Sequence, residues 1–275
     1  MKKGLIAVLD HIQDRAAAAL LQNGKLVDLI IDAKGNVPQP EAIYRAKTGQ
    51  PMKGQNGIIL DLGNGQKGFL KGAKGIAQGE TMLVQVSTHA EQHKAAPVVN
   101  KILFKSKYCI ITPTAPGINI ARKIKDDDLR ETLLEIVHEN LTEQSADFGI
   151  IIRSSAQFAN ADDLTEDIRE MIAQAVEVMA QSSGKPYLLH PAPSAHVRAW
   201  RDWVDPEPDE IETDTGSFEH LGVWDHIDAL STSHVGLNDG ASMEIEPTSA
   251  LVAVDVNTGS DFSLGAGLKL SLIHI

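Results

Sequence analysis

In the stretch LVAVDVNTG (251–259), an aspartate and an asparagine stand two positions apart at the end of an apolar run. Alternate residues of a strand point to one face, so Asp255 and Asn257 would present a carboxylate and an amide carbonyl together. Oxygen donors of that kind suit Mg²⁺, a hard cation that keeps several of its waters. Held this way, the ion can activate water against a phosphoryl group. A buried strand that ends on a carboxylate is half of such a site. The plainer reading is a strand-end turn, in which Asn-Thr-Gly simply closes a β-strand.

A second constellation ends the apolar run GIIIRSS (149–155), where Arg153 and Ser154 place a guanidinium fork beside a hydroxyl. Together these can hold a phosphate. Arg122 and Lys123 form a further basic pair in INIARKIKDDD (118–128), although a pair beside three aspartates also reads as a surface salt-bridge cluster. A third group centres on Phe69, with Arg45, Lys47, Lys67 and Lys71 nearby in sequence. These would make a face on which a base stacks and phosphates are neutralised. Against that, Phe69 reads equally as the aromatic of a small core with solvated lysines outside. His190, His196, His220, His226, His234 and His274 have no ligand spacing and read as surface or capping residues.

The elements that must position these groups follow from periodicity and turn residues. GLIAVL (4–9) and LVDLII (26–31) predict strands flanking a short helix, DRAAAALLQN (14–23), which Gly24 closes. AKGNVPQP (33–40) is a connection. Between 43 and 104 the runs IYRAKT, NGIILDLG, QKGFLKG, ETMLVQVS and KILFK, punctuated by glycine, predict a small antiparallel barrel. KYCIITP (107–113) leads into a helix over DDDLRETLLEIVHENL (126–141), with Asp127 or Asp128 as its N-cap. DFGIIIRSSA (147–156) predicts an apolar strand, and TEDIREMIAQAVEVMAQSSG (165–184) an amphipathic helix with Gly184 past its end. DPEPDEIETDTG (205–216) reads as an acidic loop, WDHIDAL (224–230) as a packing helix, and GASMEIEPTSALVAVDVNTG (240–259) as a hairpin.

Charge is distributed unevenly. The 275-residue chain carries a net charge of −12, yet much of its Lys and Arg lies in 44–125, while 202–246 is strongly acidic. A wholly basic nucleic-acid coat is excluded, and a local basic face is not. The single cysteine, Cys109, excludes disulfides and a multi-cysteine zinc knot within the chain and fits a reducing compartment. No run of eighteen apolar residues implies a membrane span. The start, MKKGLIAVLDHIQD, turns polar too early for a signal peptide. A soluble, cytoplasmic, multidomain protein with no membrane contact is expected.

Taken in order, IYRAK (43–47), LDLGNGQKGFL (60–70), GINIARKI (117–124), DDDLRE (126–131), IIIRSSA (150–156), HVRAWRDW (196–203) and GASMEIEPTSALVAVDVNTG (240–259) resemble the catalytic half of the ribonuclease E/G family. The last segment is the most specific, and the resemblance runs to about Lys269. It implies an α+β multidomain fold. An RNase H-like subdomain, 1–36 and 190–240, would carry an inserted OB-fold RNA-binding barrel, 37–104, and a 5′-end sensor, 105–189, followed from 241 to 275 by the start of a DNase I-like catalytic subdomain. The implied activity is Mg²⁺-dependent hydrolytic endonucleolytic cleavage of single-stranded RNA in bacterial RNA processing and mRNA decay, with preference for a 5′-monophosphate. Asp255 matches the first metal-binding aspartate and Asn257 the asparagine that assists it. Arg153 and Ser154, with Arg122, match the 5′-phosphate sensor, serine replacing the usual threonine. Phe69, with Arg45, Lys47, Lys67 and Lys71, matches the RNA-binding face of the barrel. A homo-oligomer is implied for the full-length protein.

Several departures accompany the resemblance. Ile59 stands where a second barrel aromatic is usual, and Leu62 replaces a common tyrosine. The family's second metal aspartate is absent from this chain, as is its protomer-linking cysteine pair, so no zinc is expected here. The final LSLIHI (270–275) fits no pattern of the family and reads as the translation of a sequencing adapter, an expected artefact. The chain as written is therefore expected to be an inactive fragment; the alternative is a non-catalytic RNA-binding module. An unpartnered apolar strand at the DVNTG segment is a further expectation.

Overall fold

The computed structural model describes residues 4–72, 74–91, 94–263 and 265; the LSLIHI segment and His274 lie outside the described residues. The fold is mixed α+β. Three antiparallel strands open the chain: β1 (Leu5–Ile12), β2 (Arg15–Gln22) and β3 (Lys25–Ile31). The alanine-rich segment predicted as a helix is therefore β2, the middle strand. Its turns explain part of the error, because Asn23 (φ 52°) and Gly24 (φ 77°) form the Asn-Gly hairpin connection, not a helix end. Its burial explains the rest. Ala17 and Ala19 pack with Phe218 and Val223, Ala18 packs with Ala199 and Trp203, and all three alanines are fully buried. Alanine's helix preference is at most about 0.7 kcal/mol per residue. Pairing on both edges and close approach of a helix layer on each face outweigh it.

The barrel comprises β4 (Ile43–Met52), β5 (Gly57–Gly63), β6 (Gln66–Lys71), β7 (Thr81–Val86) and β8 (Ala96–Val99). The order β4-β5-β6-β8-β7, with β7 returning to β4, closes an OB-like barrel. It is not antiparallel throughout, since β6 and β8 run parallel with Phe69 opposite Pro97. Nor is KILFK its last strand. That place belongs to β8, and the short β9 (Phe104–Lys105) leaves to pair with a different sheet. Ala46, Ile58, Leu60, Leu62, Leu70, Val84 and Val98 fill the barrel.

The next sheet takes β10 (Cys109–Thr112), β11 (Gly117–Ile120) and β12 (Gly149–Ile152) in the order β11-β12-β10-β9. Two helices cover it, α1 (Asp127–Asn140) and α2 (Ala161–Ala180). The cap of α1 is Asp126, whose carboxylate accepts from the Leu129 amide at 2.9 Å; with three aspartates in a row, the first to leave helical φ/ψ takes the role. Asn160 likewise starts α2 earlier than the predicted TEDI, accepting from the Asp163 amide at 2.8 Å. Gly149 begins β12 where a Cβ would overlap the Ala115 carbonyl oxygen and the Thr112 hydroxyl, which bond to each other at 2.8 Å. Gly149→Ala is expected to cost about 1–3 kcal/mol through this overpacking. Denaturant midpoints measure it, and an unchanged midpoint would contradict the crowding.

Further on, β13 (Tyr187–His190) pairs back to β4 and is followed by α3 (Ala195–Asp202). The acidic segment expected to be loop contains β14 (Glu210–Glu212), which adds in parallel to β1. Two short helices, α4 (Ser217–His220) and α5 (Val223–Leu230), then pack Phe218 and Val223 under the first sheet. The chain continues into β15 (His234–Gly236), β16 (Ser242–Pro247) and β17 (Val252–Asn257), a sheet in which β16 and β17 form the predicted hairpin. The strand β17 is not buried as expected. Val252 and Val254 are 61% and 45% exposed, and β17 is an edge among the described residues. No helix among the described residues is long and apolar enough to cross a membrane.

Candidate functional site

Strand alternation sorts the barrel residues. Gly68 and Leu70 face inward on β6, so Lys67, Phe69 and Lys71 face outward. Cross-strand register sets Phe69 beside Ile59, and Lys47, Asp61 and Lys67 in one row over three strands. Phe69 is thus half-buried on the outer surface, not in the core. Its ring covers Gly57, where any Cβ would collide with it. Lys47, Lys67 and Lys71 make no ion pair among the described residues. Lys47 and Lys67 line a groove of about 690 Å³ that also includes Ile59, Gln66 and Lys185. Leu62, at 1% exposure, belongs to the core. Arg45 does not join this group: its Nε donates to the Lys185 carbonyl at 2.7 Å and its Nη1 to that of Gln181 at 2.9 Å, tying the barrel to the segment after α2.

A second cluster forms where β11 and β12 end side by side, joined by the Ala121 amide donating to Ile152 at 2.9 Å. Arg153 Nη1 donates to the Ser106 carbonyl at 2.5 Å and Nη2 to Asp202 Oδ1 at 3.0 Å. Ser154 Oγ donates to Asp205 Oδ2 at 3.0 Å, and Lys123 Nζ reaches the same oxygen at 2.7 Å. Lys123 rather than Arg122 therefore completes this group. Arg122 is exposed and makes no hydrogen bond or ion pair among the described residues. Sequence alone could not choose between the neighbours, because the parallel pairing of GINI with GIII decides which one turns towards Ser154.

Behind this cluster lies a charge network. Arg201 donates to both Glu41 oxygens, at 2.6 and 2.9 Å, and to Asp202 at 3.0 and 2.6 Å. Burial raises the Glu41 and Asp202 carboxyls, but hydrogen bonds and charge from Arg201 outweigh it, and both lie below their ordinary values. Nearby, burial, then the charge of Asp167, pushes the Cys109 thiol up to about 12, so it is no nucleophile. Glu41, Lys105, Asp167, Trp200 and Arg201 line a cleft of about 460 Å³ between barrel and sheet. His196 Nε2 donates to the carbonyls of Asp10 and Ala17, and His226 Nε2 to that of Gly24, structural roles for two of the scattered histidines.

Asp255 and Asn257 do share one face of β17, opposite Glu244 and Ser242 of β16. Asn257 Oδ1 accepts from the Gly259 amide at 3.0 Å, the turn-closing role. Gly259 is required there (φ +61°), since a Cβ would sit 2.6 Å from the Gly240 carbonyl carbon. Glu244 is held by the Ser233 hydroxyl at 2.9 Å and by His234. Among the described residues no three His, Cys, Asp or Glu side chains converge on a point that could hold a metal ion. One exposed carboxylate and an engaged amide do not by themselves fit Mg²⁺.

The family model described as "Ribonuclease E/G family" matches residues 104–218 and 212–267. The chain belongs to the ribonuclease E/G family. The matched span contains Lys123, Arg153, Ser154, Asp205 and Asp255, so both candidate clusters outside the barrel lie within it. The chain is similar to Ribonuclease E of Escherichia coli (strain K12), 24% identical over 311 residues, covering 94% of this chain and 29% of that protein. It is also similar to Ribonuclease E of Buchnera aphidicola, 23% identical over 96% of this chain and 34% of the relative. Ribonuclease G of Escherichia coli (strain K12) is 22% identical over 88% of this chain and 60% of its own length. This family member therefore spans less than two thirds of the relatives it matches.

Proposed function

We propose that this chain is the RNA-holding part of an endoribonuclease that hydrolyses single-stranded RNA in RNA processing and decay. The observation that carries the reading is the outer face of the barrel, where Phe69 lies amid Lys47, Lys67 and Lys71. An aromatic platform with cations along one track is the arrangement that binds single strands through stacking and phosphate contacts. Family membership supports the same reading. In it, Arg153, Ser154 and Lys123 read a 5′-monophosphate, the sheet of β1, β2, β3 and β14 is the RNase H-like subdomain, and β15 to β17 belong to the DNase I-like subdomain. Asp255 contributes one carboxylate towards Mg²⁺, whose other protein donors come from outside the described residues.

The test is binding of a short A/U-rich single-stranded RNA, followed by fluorescence anisotropy. Phe69→Ala is expected to weaken binding about tenfold, roughly 1.4 kcal/mol, the low end of a base-stacking contribution. Lys67→Ala is expected to weaken it and to lower the salt dependence by about 0.7 in log–log slope, one phosphate contact on a single strand. Unchanged affinity in Phe69→Ala would refute the barrel face as the RNA track.

The incomplete acidic site favours a second reading, a non-catalytic RNA-binding module. Incubating the chain with labelled RNA and Mg²⁺ separates the two. Cleavage products abolished by Asp255→Asn support the nuclease and overturn the module.

A further inference from the structure

The hydroxyl and the ammonium at the 5′-phosphate site already share a carboxylate. Ser154 Oγ and Lys123 Nζ converge on one oxygen of Asp205, at 3.0 and 2.7 Å. An anionic oxygen held between a hydroxyl and an ammonium is also how a phosphate oxygen would be held there. The two acidic residues at the site are not equivalent. Asp202, the partner of Arg153, is clamped by Arg201, which Glu41 holds in turn by two hydrogen bonds. Such a buried network resists opening. Among the described residues the Asp205 carboxylate meets Ser154 and Lys123 alone; its own side chain is 33% exposed and that of Lys123 is 69% exposed. Exposed pairs of this kind exchange partners at little cost.

We infer that Asp205 is a specificity-determining stand-in for phosphate, a carboxylate that an incoming 5′-terminal phosphate displaces from Ser154 and Lys123 while Arg153 stays anchored on Asp202. The inference rests on the 5′-end reading above. A phosphate monoester carries about −1.5 to −2 charges near neutral pH and offers three acceptor oxygens. It competes for Lys123 better than a single carboxylate, whereas a 5′-hydroxyl end has no charge with which to displace Asp205. The same carboxylate also sets an upper limit on phosphate affinity, because after displacement its charge remains beside the bound phosphate.

The experiment compares one RNA oligonucleotide made with a 5′-monophosphate and with a 5′-hydroxyl, binding to the parent, Asp205→Asn and Asp205→Asn/Lys123→Ala. Asp205→Asn keeps an acceptor for Ser154 and removes the charge. It is expected to tighten binding of the 5′-phosphorylated RNA about tenfold, about one charge-assisted contact, and to leave the 5′-hydroxyl RNA unchanged. Adding Lys123→Ala should remove the gain. A melting midpoint for each protein confirms folding, with Asp205→Ser as the replacement if Asp205→Asn melts early. A parent preference for 5′-phosphate that Asp205→Asn leaves unaltered overturns the role of Asp205 but not the 5′-end reading. Equal tightening for both RNAs overturns it as well, as a general charge effect. If neither parent nor variant distinguishes the two ends, the 5′-end reading falls and this inference with it.

Discussion

Arg201→Ala is expected to lose roughly 3–5 kcal/mol of stability, because it removes the main cation from two partly buried carboxylates and leaves only Lys105 beside Glu41 and Arg153 beside Asp202. In a chain of this size that is a fall of roughly 10 °C in the unfolding midpoint of the affected region. Arg201 is 4% exposed and joins Glu41, just before β4, to Asp202 at the end of α3, so the change loosens the barrel from the helix that anchors Arg153. The pH dependence gives a second readout. Glu41 and Asp202 lie below their ordinary values of 4.5 and 3.8, despite burial, because Arg201 holds their charged forms. A lowered carboxylate pKa stabilises the fold above its unfolded value, and that stability is lost as pH falls through the folded value. In Arg201→Ala, burial of Glu41 is opposed only by Lys105, and its pKa rises. The deficit of the variant should therefore be widest near neutral pH and narrow towards pH ~4. Denaturant titrations at both pH values measure this. A constant deficit would mean that Arg201 acts by packing alone.

Phe218→Ala is expected to cost about 3–5 kcal/mol, the range for emptying an aromatic site in a packed core. Phe218 is fully buried against Ile6, Val8, Ala17, Ala19 and Val223, and its ring meets Trp224 edge-on at 5.9 Å between centroids. Its amide also donates to the buried Asp10 carboxylate at 3.0 Å. The loss falls on the first sheet, while the barrel packs a separate core. Unfolding should therefore split into two transitions, with tryptophan fluorescence reporting the earlier one. A single transition at the parent's midpoint would show that Phe218 does not tie this layer together.

Much of the fold could be read locally. Gly- and Asn-punctuated runs of alternating residues marked four of the five barrel strands. Asp ahead of an amphipathic repeat marked α1, amphipathic periodicity closed by Gly184 marked α2, each to within a few residues, and GASMEIEPTSALVAVDVNTG marked the last hairpin. The misreadings share a cause. RAAAALL has helix-forming composition, yet its partners are strands before and after it and helices from residues 195–202 and 217–230, and only packing on both faces explains its alanines. The acidic segment 205–216 looks like pure loop, but β14 gains its conformation from pairing with β1, some two hundred residues earlier.

The candidate site divides the same way. Composition, order and motif, read from the sequence by itself, determined the family resemblance and the shared face of Asp255 and Asn257, while the outward position of Phe69 stayed open until the burial of Gly68 and Leu70 was known. The resemblance and the shared face depend on backbone periodicity and residue type, which are local. Tertiary structure alone decided that Arg45 ties down the segment after α2, and that Lys123 and not Arg122 shares a carboxylate with Ser154, that of Asp205, 82 and 51 residues away. Which charge meets which depends on sheet register and helix placement, set by burial across the whole chain, and no local pattern of residues encodes them.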